Sequence, residues 1–230
     1  EAALQPFRAS NAGALARVDA AVAGYLLERT LPADDPRQRA SFLFLPSLGV
    51  ETVFDASTIK GLADFSARMD EFGTAVDAMF EAPSPEAAPK PGPFSMTALA
   101  PGTAPATLQG ARTVFVCQRG NFMKDVRSRL PELIAALDSL PLMRVGGYGE
   151  NVSLDELPTG TSKAAEYGRS NAICRALVAC PGTPPITVNI GGERHVLEPG
   201  RAMVCEQSFG IGLENASNKA ARVLSMDVWN

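Results

Sequence analysis

The strongest constraint on the fold lies between Leu142 and Asn230, where short apolar runs are separated by Gly, Pro and Asn. Closely spaced runs bounded by turn residues are typical of β-strands in a sandwich or barrel. Strands are predicted at 142–148, 151–157, 171–180, 186–190, 194–198, 202–208 and 222–229. Gly191 and Gly192 separate two of these runs, and a glycine pair in this position predicts a tight hairpin turn.

The part of the chain before Leu142 is mainly helical in pattern. Apolar side chains at steps of three and four predict helices at 11–30, 57–81 and 121–140. Pro131 lies inside the last of these and should kink or divide it near Leu130. The remaining apolar segments predict a short buried strand or extended segment at 41–54 and a strand at 112–118.

A change of composition divides the chain. Residues 82–106 contain seven prolines and show no periodicity, which predicts an extended connector. We therefore expect an α+β protein with a helical N-terminal region at 1–81, a Pro/Ala-rich connector at 82–110 and a β-rich domain at 111–230.

Charge and hydropathy exclude some classes of function. The net charge is −4 and the basic residues are scattered, so nucleic-acid binding has little electrostatic support. No apolar run approaches the roughly 18 residues of a membrane-spanning helix. The chain starts at Glu1 without a methionine, so a processed organellar protein is one expectation and a cloning choice another. The sequence indicates no particular cellular compartment.

Residues that could do redox or nucleophilic chemistry are few. The four cysteines have no metal-binding spacing, and we expect buried, reduced thiols, although one or two disulfides stay open: Cys117, Cys174, Cys180 and Cys205. The single histidine, His195, lies in a turn region before Pro199 and Gly200, which predicts a histidine at the surface or at a strand edge.

Four stretches of the C-terminal third match one known family in order and spacing. They are LPTGT at 157–161, the Gly168 and Asn171 pair in EYGRSN, HVLEPGRAMVCEQSF at 195–209 and RVLSMDVWN at 222–230. Together they resemble the catalytic core of the aspartyl/asparaginyl β-hydroxylases. The resemblance implies a double-stranded β-helix, which is a cupin-like jelly-roll barrel. In that family the barrel mouth holds iron and 2-oxoglutarate, and most members hydroxylate Asp or Asn side chains of peptides.

The same resemblance predicts that the iron site has been lost. The two iron-binding histidines of the family fall on Glu166 and Ile211, and a third histidine, which helps to hold the co-substrate, falls on Leu177. An Fe(II) site needs nitrogen or oxygen ligands, and isoleucine offers none. Other donors, at Asp155, Glu206 and Cys205, have no recognised ligand spacing. We therefore expect no metal, no cofactor and no enzyme activity, that is, a pseudoenzyme.

Two arginines are candidates for vestigial anion binding in the barrel mouth. Arg175 matches a family arginine that faces the substrate. Arg222 is the candidate for the arginine that grips 2-oxoglutarate, but it lies one residue too close to Asp227. A shift of one residue on a strand turns the side chain to the other face unless a bulge absorbs it.

Three functions follow as hypotheses. The first is a scaffold or accessory subunit that binds protein partners in a larger assembly, a membrane complex being one conceivable setting. The second is a binding module that holds a small acid or a peptide in the barrel mouth through Arg175 and Arg222. The third is a divergent Fe(II)/2-oxoglutarate-dependent oxygenase that uses Glu166 with unrecognised ligands.

Overall fold

The structure is a computed structural model that describes residues 33, 35–39, 44–45, 48, 50–81, 112–144 and 150–229. The predicted helix at 11–30 and the connector at 82–110 lie outside these residues. Both stay predictions, as does the domain boundary at the connector.

Two antiparallel sheets account for most of the described chain. Their strands are β1 Val53–Phe54, β2 Arg112–Gln118, β3 Asn121–Phe122, β4 Glu150–Leu157, β5 Thr161–Glu166, β6 Ile173–Ala179, β7 Ile186–Ile190, β8 Glu193–Leu197, β9 Ala202–Glu206, β10 Ile211–Asn215 and β11 Ala221–Trp229. The larger sheet has the order β1-β9-β6-β11-β4-β2-β3, and the smaller has the order β5-β10-β7-β8. Within β4 to β11, the larger sheet contributes the four strands β9-β6-β11-β4 and the smaller sheet contributes β5-β10-β7-β8. Two facing four-stranded sheets of this kind are the arrangement of an eight-stranded jelly roll.

Short helices precede the barrel. They are α1 Leu62–Ala67, α2 Met69–Glu81, α3 Lys124–Arg129 and α4 Pro131–Asp138, with 3-10 turns at Ala56–Thr58 and Gln207–Phe209. The helix predicted at 57–81 is broken at Arg68, which separates α1 from α2. The helix predicted at 121–140 is divided at Leu130, as expected, and Pro131 opens α4, where its missing N–H costs nothing.

Most of the predicted strands are confirmed, but two strands of the barrel were not predicted. These are β5 and β10, which pair with each other in the smaller sheet. In the segment predicted as a strand at 142–148, Leu142 makes an isolated bridge to Val228, and residues 145–149 lie outside the described chain. The hairpin at Gly191 and Gly192 is confirmed, because both have positive φ values, 56° and 87°, and they join β7 to β8.

The larger sheet separates two hydrophobic cores. Side chains alternate between the faces of a strand, so β6 sends Leu177 and Ala179 into the barrel and Ala176 and Val178 to the outer face. The barrel core joins both sheets, whereas the outer core packs the larger sheet against α1, α2 and α4. Strand β1 also pairs with β9. Residues 50–81 therefore pack as part of the barrel structure.

One end of the barrel collects the residues of interest. Four strands end there, namely β5, β7, β9 and β11, and four begin there, namely β4, β6, β8 and β10. This follows because neighbouring strands pair in antiparallel directions and the connections between them are short. We call this end the mouth. It is formed by residues 166–173, 190–193, 206–211 and 227–229.

Candidate functional site

An ion pair between a partly buried arginine and a buried aspartate forms the floor of the mouth. Arg175 on β6 and Asp227 on β11 are register partners and face the barrel interior. The Nε and Nη2 atoms of Arg175 donate to Asp227 Oδ1 at 3.2 and 3.0 Å. Gln207 donates its Nε2 hydrogen to the same oxygen at 2.6 Å. Asp227 is 7% exposed and Gln207 is 5% exposed, so this network is largely shielded from water.

The glycine of the predicted family motif EYGRSN has a packing role beside this network. A Cβ at Gly168 would lie 2.3 Å from the Cβ of Gln207. The Gly168 amide also donates to the Gln207 carbonyl at 2.8 Å. Close approach of the backbone at Gly168 therefore positions Gln207 over Asp227.

A second carboxylate faces the interior further along β4. Asp155 accepts hydrogen bonds from Thr113 Oγ1 at 2.6 Å, Ser153 Oγ at 3.2 Å and Ser225 Oγ at 3.4 Å. It is 3% exposed. Hydrogen bonds from three hydroxyl groups therefore stabilise this buried carboxylate in place of a cation.

The two positions that resemble iron-ligand sites lie side by side. Ile211 on β10 is the register partner of Glu166 on β5, next to a bulge in β5. Glu166 forms an ion pair with Lys163 at 3.1 Å, and Ile211 is a buried hydrocarbon. Leu177, the third position, lies in the barrel core.

These side chains do not fit an Fe(II) centre, because they supply one ion-paired carboxylate and no imidazole. Within the described residues, no group of three or more His, Cys, Asp or Glu side chains is arranged to hold a metal ion.

Three carboxylates act on the charge of Arg175, those of Asp227, Glu166 and Asp155. Burial acts to lower the pKa of Arg175, but these carboxylates, Asp227 foremost, hold that pKa above its usual value. Arg175 therefore stays charged, and its charge is already neutralised within the chain.

The structure does not place Arg222 in the mouth, where the resemblance had put it. The β11 ladders run without a bulge, so Arg222 shares the outer face with Leu224. There its Nε donates to Glu156 at 2.9 Å and it also pairs with Asp77. Its guanidinium lies 5.1 Å from the ring centre of Phe80. Arg222 ties α2 to the sheet, and the predicted joint site with Arg175 does not form.

The remaining candidates are structural in their contacts. All four cysteines are buried and free, and burial raises the pKa of Cys174, Cys180 and Cys205 to about 12. His195 lies on β8, at the edge of the smaller sheet, as predicted, with its Nε2 3.5 Å from Glu193.

A short N-terminal segment lies across the rim of the mouth. We call residues 35–39 the strap. The amide of Arg39 donates to the Ser208 carbonyl at 2.6 Å. Gln38 donates to Glu206 Oε2 at 3.1 Å. The strap thus closes on the connection between β9 and β10.

Glu206, under the strap, is a buried acid with several donors. Its carboxylate accepts from the amide of Ser208 at 2.9 Å, from the Ser208 hydroxyl and from Gln38. Burial raises the pKa of Glu206 above its usual value, and these hydrogen bonds oppose the rise.

Exposed apolar side chains are concentrated at the mouth. Among the described residues, the large exposed ones are Val50, Tyr167, Val196 and Trp229, at 50, 42, 59 and 47%. Tyr167 and Trp229 lie on the rim, and Val50 is close to it because Thr52 accepts from the Glu206 amide. Sequence reasoning did not single out Tyr167 or the strap. Trp229, the only tryptophan, was noted solely as part of a motif.

A groove of about 600 Å³ lies away from the mouth. Small and polar side chains line it on the outer face of the smaller sheet, among them Ser162, Ala164 and Asn189. It contains no constellation comparable to the ion-pair network, so the mouth is the better candidate site.

No protein-family model matches the chain, and no curated protein matches it. The chain is similar to the solved cupin domain of an XRE-family transcriptional regulator from Enterobacter cloacae, at 15% identity and a TM-score of 0.31, over 34% of this chain and 80% of that one. It is also similar to a polyketide cyclase from Streptomyces resistomycificus, at 13% identity and a TM-score of 0.28, over 33% of this chain and 51% of that one. A sugar phosphate isomerase from a cupin superfamily, from Silicibacter pomeroyi, matches at 16% identity and a TM-score of 0.29, over 34% of this chain and 50% of that one.

These likenesses concern the barrel fold alone, and the matched part spans about half of the last two proteins. None of the three is described as an aspartyl/asparaginyl β-hydroxylase. The jelly-roll assignment itself rests on the strand order.

The prediction that the chain is not an enzyme is wrong as an inference from this fold. Two of the three similar structures are enzymes, a cyclase and an isomerase. Separately, the described residues include no helix long and apolar enough to cross a membrane.

Proposed function

We propose that this chain is an accessory or scaffold subunit that binds a protein partner through the mouth of its jelly-roll barrel. The observation that carries the proposal is the exposure of Tyr167 and Trp229 on the mouth rim, with Val50 close by. Apolar side chains exposed together at one end of a domain are a mark of protein-binding surfaces. Aromatic residues are also over-represented at the centres of such interfaces.

The interior of the mouth supports the same proposal. Arg175 is already paired with Asp227, which also accepts from Gln207, so binding a small acid would require this network to be broken. A partner that packs on the rim needs no such rearrangement. The paired floor would then serve as a rigid support for the docking surface.

The finer resemblance to the aspartyl/asparaginyl β-hydroxylases belongs to this proposal. A barrel of that ancestry would have kept its turns and closing strand while the positions of Glu166 and Ile211 changed. The adjacency of these two residues across β5 and β10 supports such a history.

The proposal is tested by the native mass of the full chain, affinity-tagged and recovered from its source under native conditions. We expect a stoichiometric complex for the wild type. The double variant Tyr167→Ala/Trp229→Ala should lose it, because two large contact surfaces are removed from the rim. Val196→Ala is the matched control, since Val196 is an exposed apolar residue on the outer face of the smaller sheet.

Two results would contradict the proposal. One is a wild-type chain that runs as a monomer with nothing bound. The other is a complex that survives in the double variant as well as in the control.

A second candidate function is binding of a small acid, and one observation favours it. The Arg175 side chain remains 25% exposed in the mouth, so a carboxylate could reach it by displacing Asp227. A thermal-shift series with succinate and 2-oxoglutarate at millimolar concentration tests this. A shift that is lost in Arg175→Met supports acid binding, and the absence of any shift rejects it.

A further inference from the structure

The strap covers part of the mouth rim through side-chain and backbone contacts. Its two arginines are exposed, whereas Gln38 between them is buried against the rim. The contacts described between this segment and the rim are made to hydrogen-bond acceptors and to aromatic faces. The acceptors are the carboxylates of Glu193 and Glu206 and the carbonyl oxygens of Gly191 and Ser208.

Arg37 contacts the rim through hydrogen bonds and through the face of its guanidinium. Its Nη1 donates to the Gly191 carbonyl at 3.0 Å and to Glu193 Oε1 at 3.2 Å. Its guanidinium lies 5.3 Å from the ring centre of Phe209, within the range of a cation–π contact. Asp35, on the strap itself, holds the other edge of the guanidinium.

Arg39 contacts the exposed part of the rim. Its guanidinium lies 5.5 Å from the ring centre of Tyr167. Tyr167 is one of the two aromatic residues proposed to bind the partner. The strap therefore occupies part of the surface that the partner would use.

We propose that the mouth rim binds an extended, arginine-containing segment of a partner protein, and that the strap is an intramolecular copy of this ligand that must be displaced. The proposal rests on the proposed function and specifies the partner's chemistry. Charge complementarity supports it, because the strap contacts the rim carboxylates of Glu193 and Glu206 and the chain as a whole has a net charge of −4. The strap then acts as an autoinhibitory contact.

The test uses the full chain and a fluorescein-labelled peptide that copies residues 33–41, Ala-Asp-Asp-Pro-Arg-Gln-Arg-Ala-Ser. Binding is followed by fluorescence anisotropy for the wild type, for Arg37→Ala/Arg39→Ala and for the control Arg68→Ala/Arg194→Ala. The control removes two exposed arginines whose ion pairs lie away from the strap.

We expect the strap variant to bind the peptide about tenfold more tightly than the wild type and the control, as expected for the loss of two competing cation–π contacts. Binding should weaken as salt is added. A peptide with both arginines replaced by glutamate should not bind. Equal affinity in all three chains, no binding by the strap variant, or binding of the glutamate peptide would each overturn the proposal.

A second measurement leaves the strap arginines in place. A dye on Ala33→Cys reports strap motion, because the four native cysteines are buried and Ala33 is exposed. Excess unlabelled peptide should raise the mobility of the dye, and an unchanged signal contradicts displacement. If the arginine peptide fails while the native complex still depends on Tyr167 and Trp229, the partner is not basic and the proposed function stands.

Discussion

At the scale of single residues, charge pairing determines what the barrel interior can do. Arg175 and Asp227 are adjacent register partners inside the barrel, and Gln207 donates to the same carboxylate oxygen. A buried charge that loses its partner is costly, because the interior cannot solvate it. The pair therefore matters for folding whether or not the mouth also binds a ligand.

Asp227→Ala should lower the free energy of unfolding by about 3 kcal/mol, because it leaves the Arg175 guanidinium without its counter-ion. Chemical denaturation of the purified variant measures this. Arg194→Ala is the control, since Arg194 and Glu214 form an exposed pair and their loss should leave stability nearly unchanged. Equal effects of the two substitutions would show that the buried pair is not structurally important.

Glu206 and Glu193, both at the mouth rim, should have opposite effects on the pH dependence of stability. Burial raises the pKa of Glu206 above its usual 4.5. The contribution of Glu206 to the free energy of unfolding is therefore fully present below pH 4.5 and is lost as the pH rises through the raised pKa. Hydrogen bonds from Arg37 lower the pKa of Glu193, so its contribution is present above 4.5 and is lost as the pH falls.

The expected result is a stability advantage of wild type over Glu206→Gln that shrinks as the pH rises above 4.5. The advantage over Glu193→Gln should instead shrink as the pH falls below 4.5. Urea unfolding of the three proteins across the acid range checks both trends. If the stability of the two variants depended on pH in the same way, burial would not be what sets the pKa of Glu206.

At the scale of elements, the sequence predicts strands well where apolar residues alternate and poorly where pairing alone creates them. Strand β5, TSKAAE, contains Lys, Ala and Glu, which are depleted in strands, and its place depends on pairing with β10. Strand β10 is short and contains Gly212, so its apolar signal is weak. The hairpin glycines and the break before Pro131 were predictable because they act through local geometry.

The candidate site, too, could be predicted only in part from the sequence. The resemblance assigned Glu166 and Ile211 to one site, and in the structure they are register partners. It misplaced Arg222 because a single residue of offset reverses the face of a strand. The strap could not be predicted, since its contacts join residues far apart in the sequence.

The turn between β7 and β8 offers a test of local geometry. Gly191 has a φ of 56°, and a Cβ there would lie 3.2 Å from both Phe209 and Thr52. Gly160 has a similar φ of 66° with open space around it. We expect Gly160→Ala to cost about 1 kcal/mol from backbone strain, and Gly191→Ala to cost about 1 kcal/mol more from overpacking. Thermal unfolding compares the two, and equal losses would contradict the close packing at Gly191.

At the scale of the whole molecule, the two sheets have different surroundings. The outer face of the larger sheet is covered by α1, α2 and α4, which share its hydrophobic core. The mouth, in contrast, combines exposed aromatic residues, a paired ionic floor and the strap. Under the proposed function, this end of the barrel is the recognition surface of the described part of the chain.

Site-specific photo-crosslinking tests that assignment most directly. A benzophenone amino acid replaces Trp229 in one full-length chain and Val196 in another, and each is irradiated in an extract of its source. The account predicts a discrete crosslinked protein from position 229 and none from position 196. A crosslink from position 196 alone, or the same weak background from both, would contradict docking at the mouth.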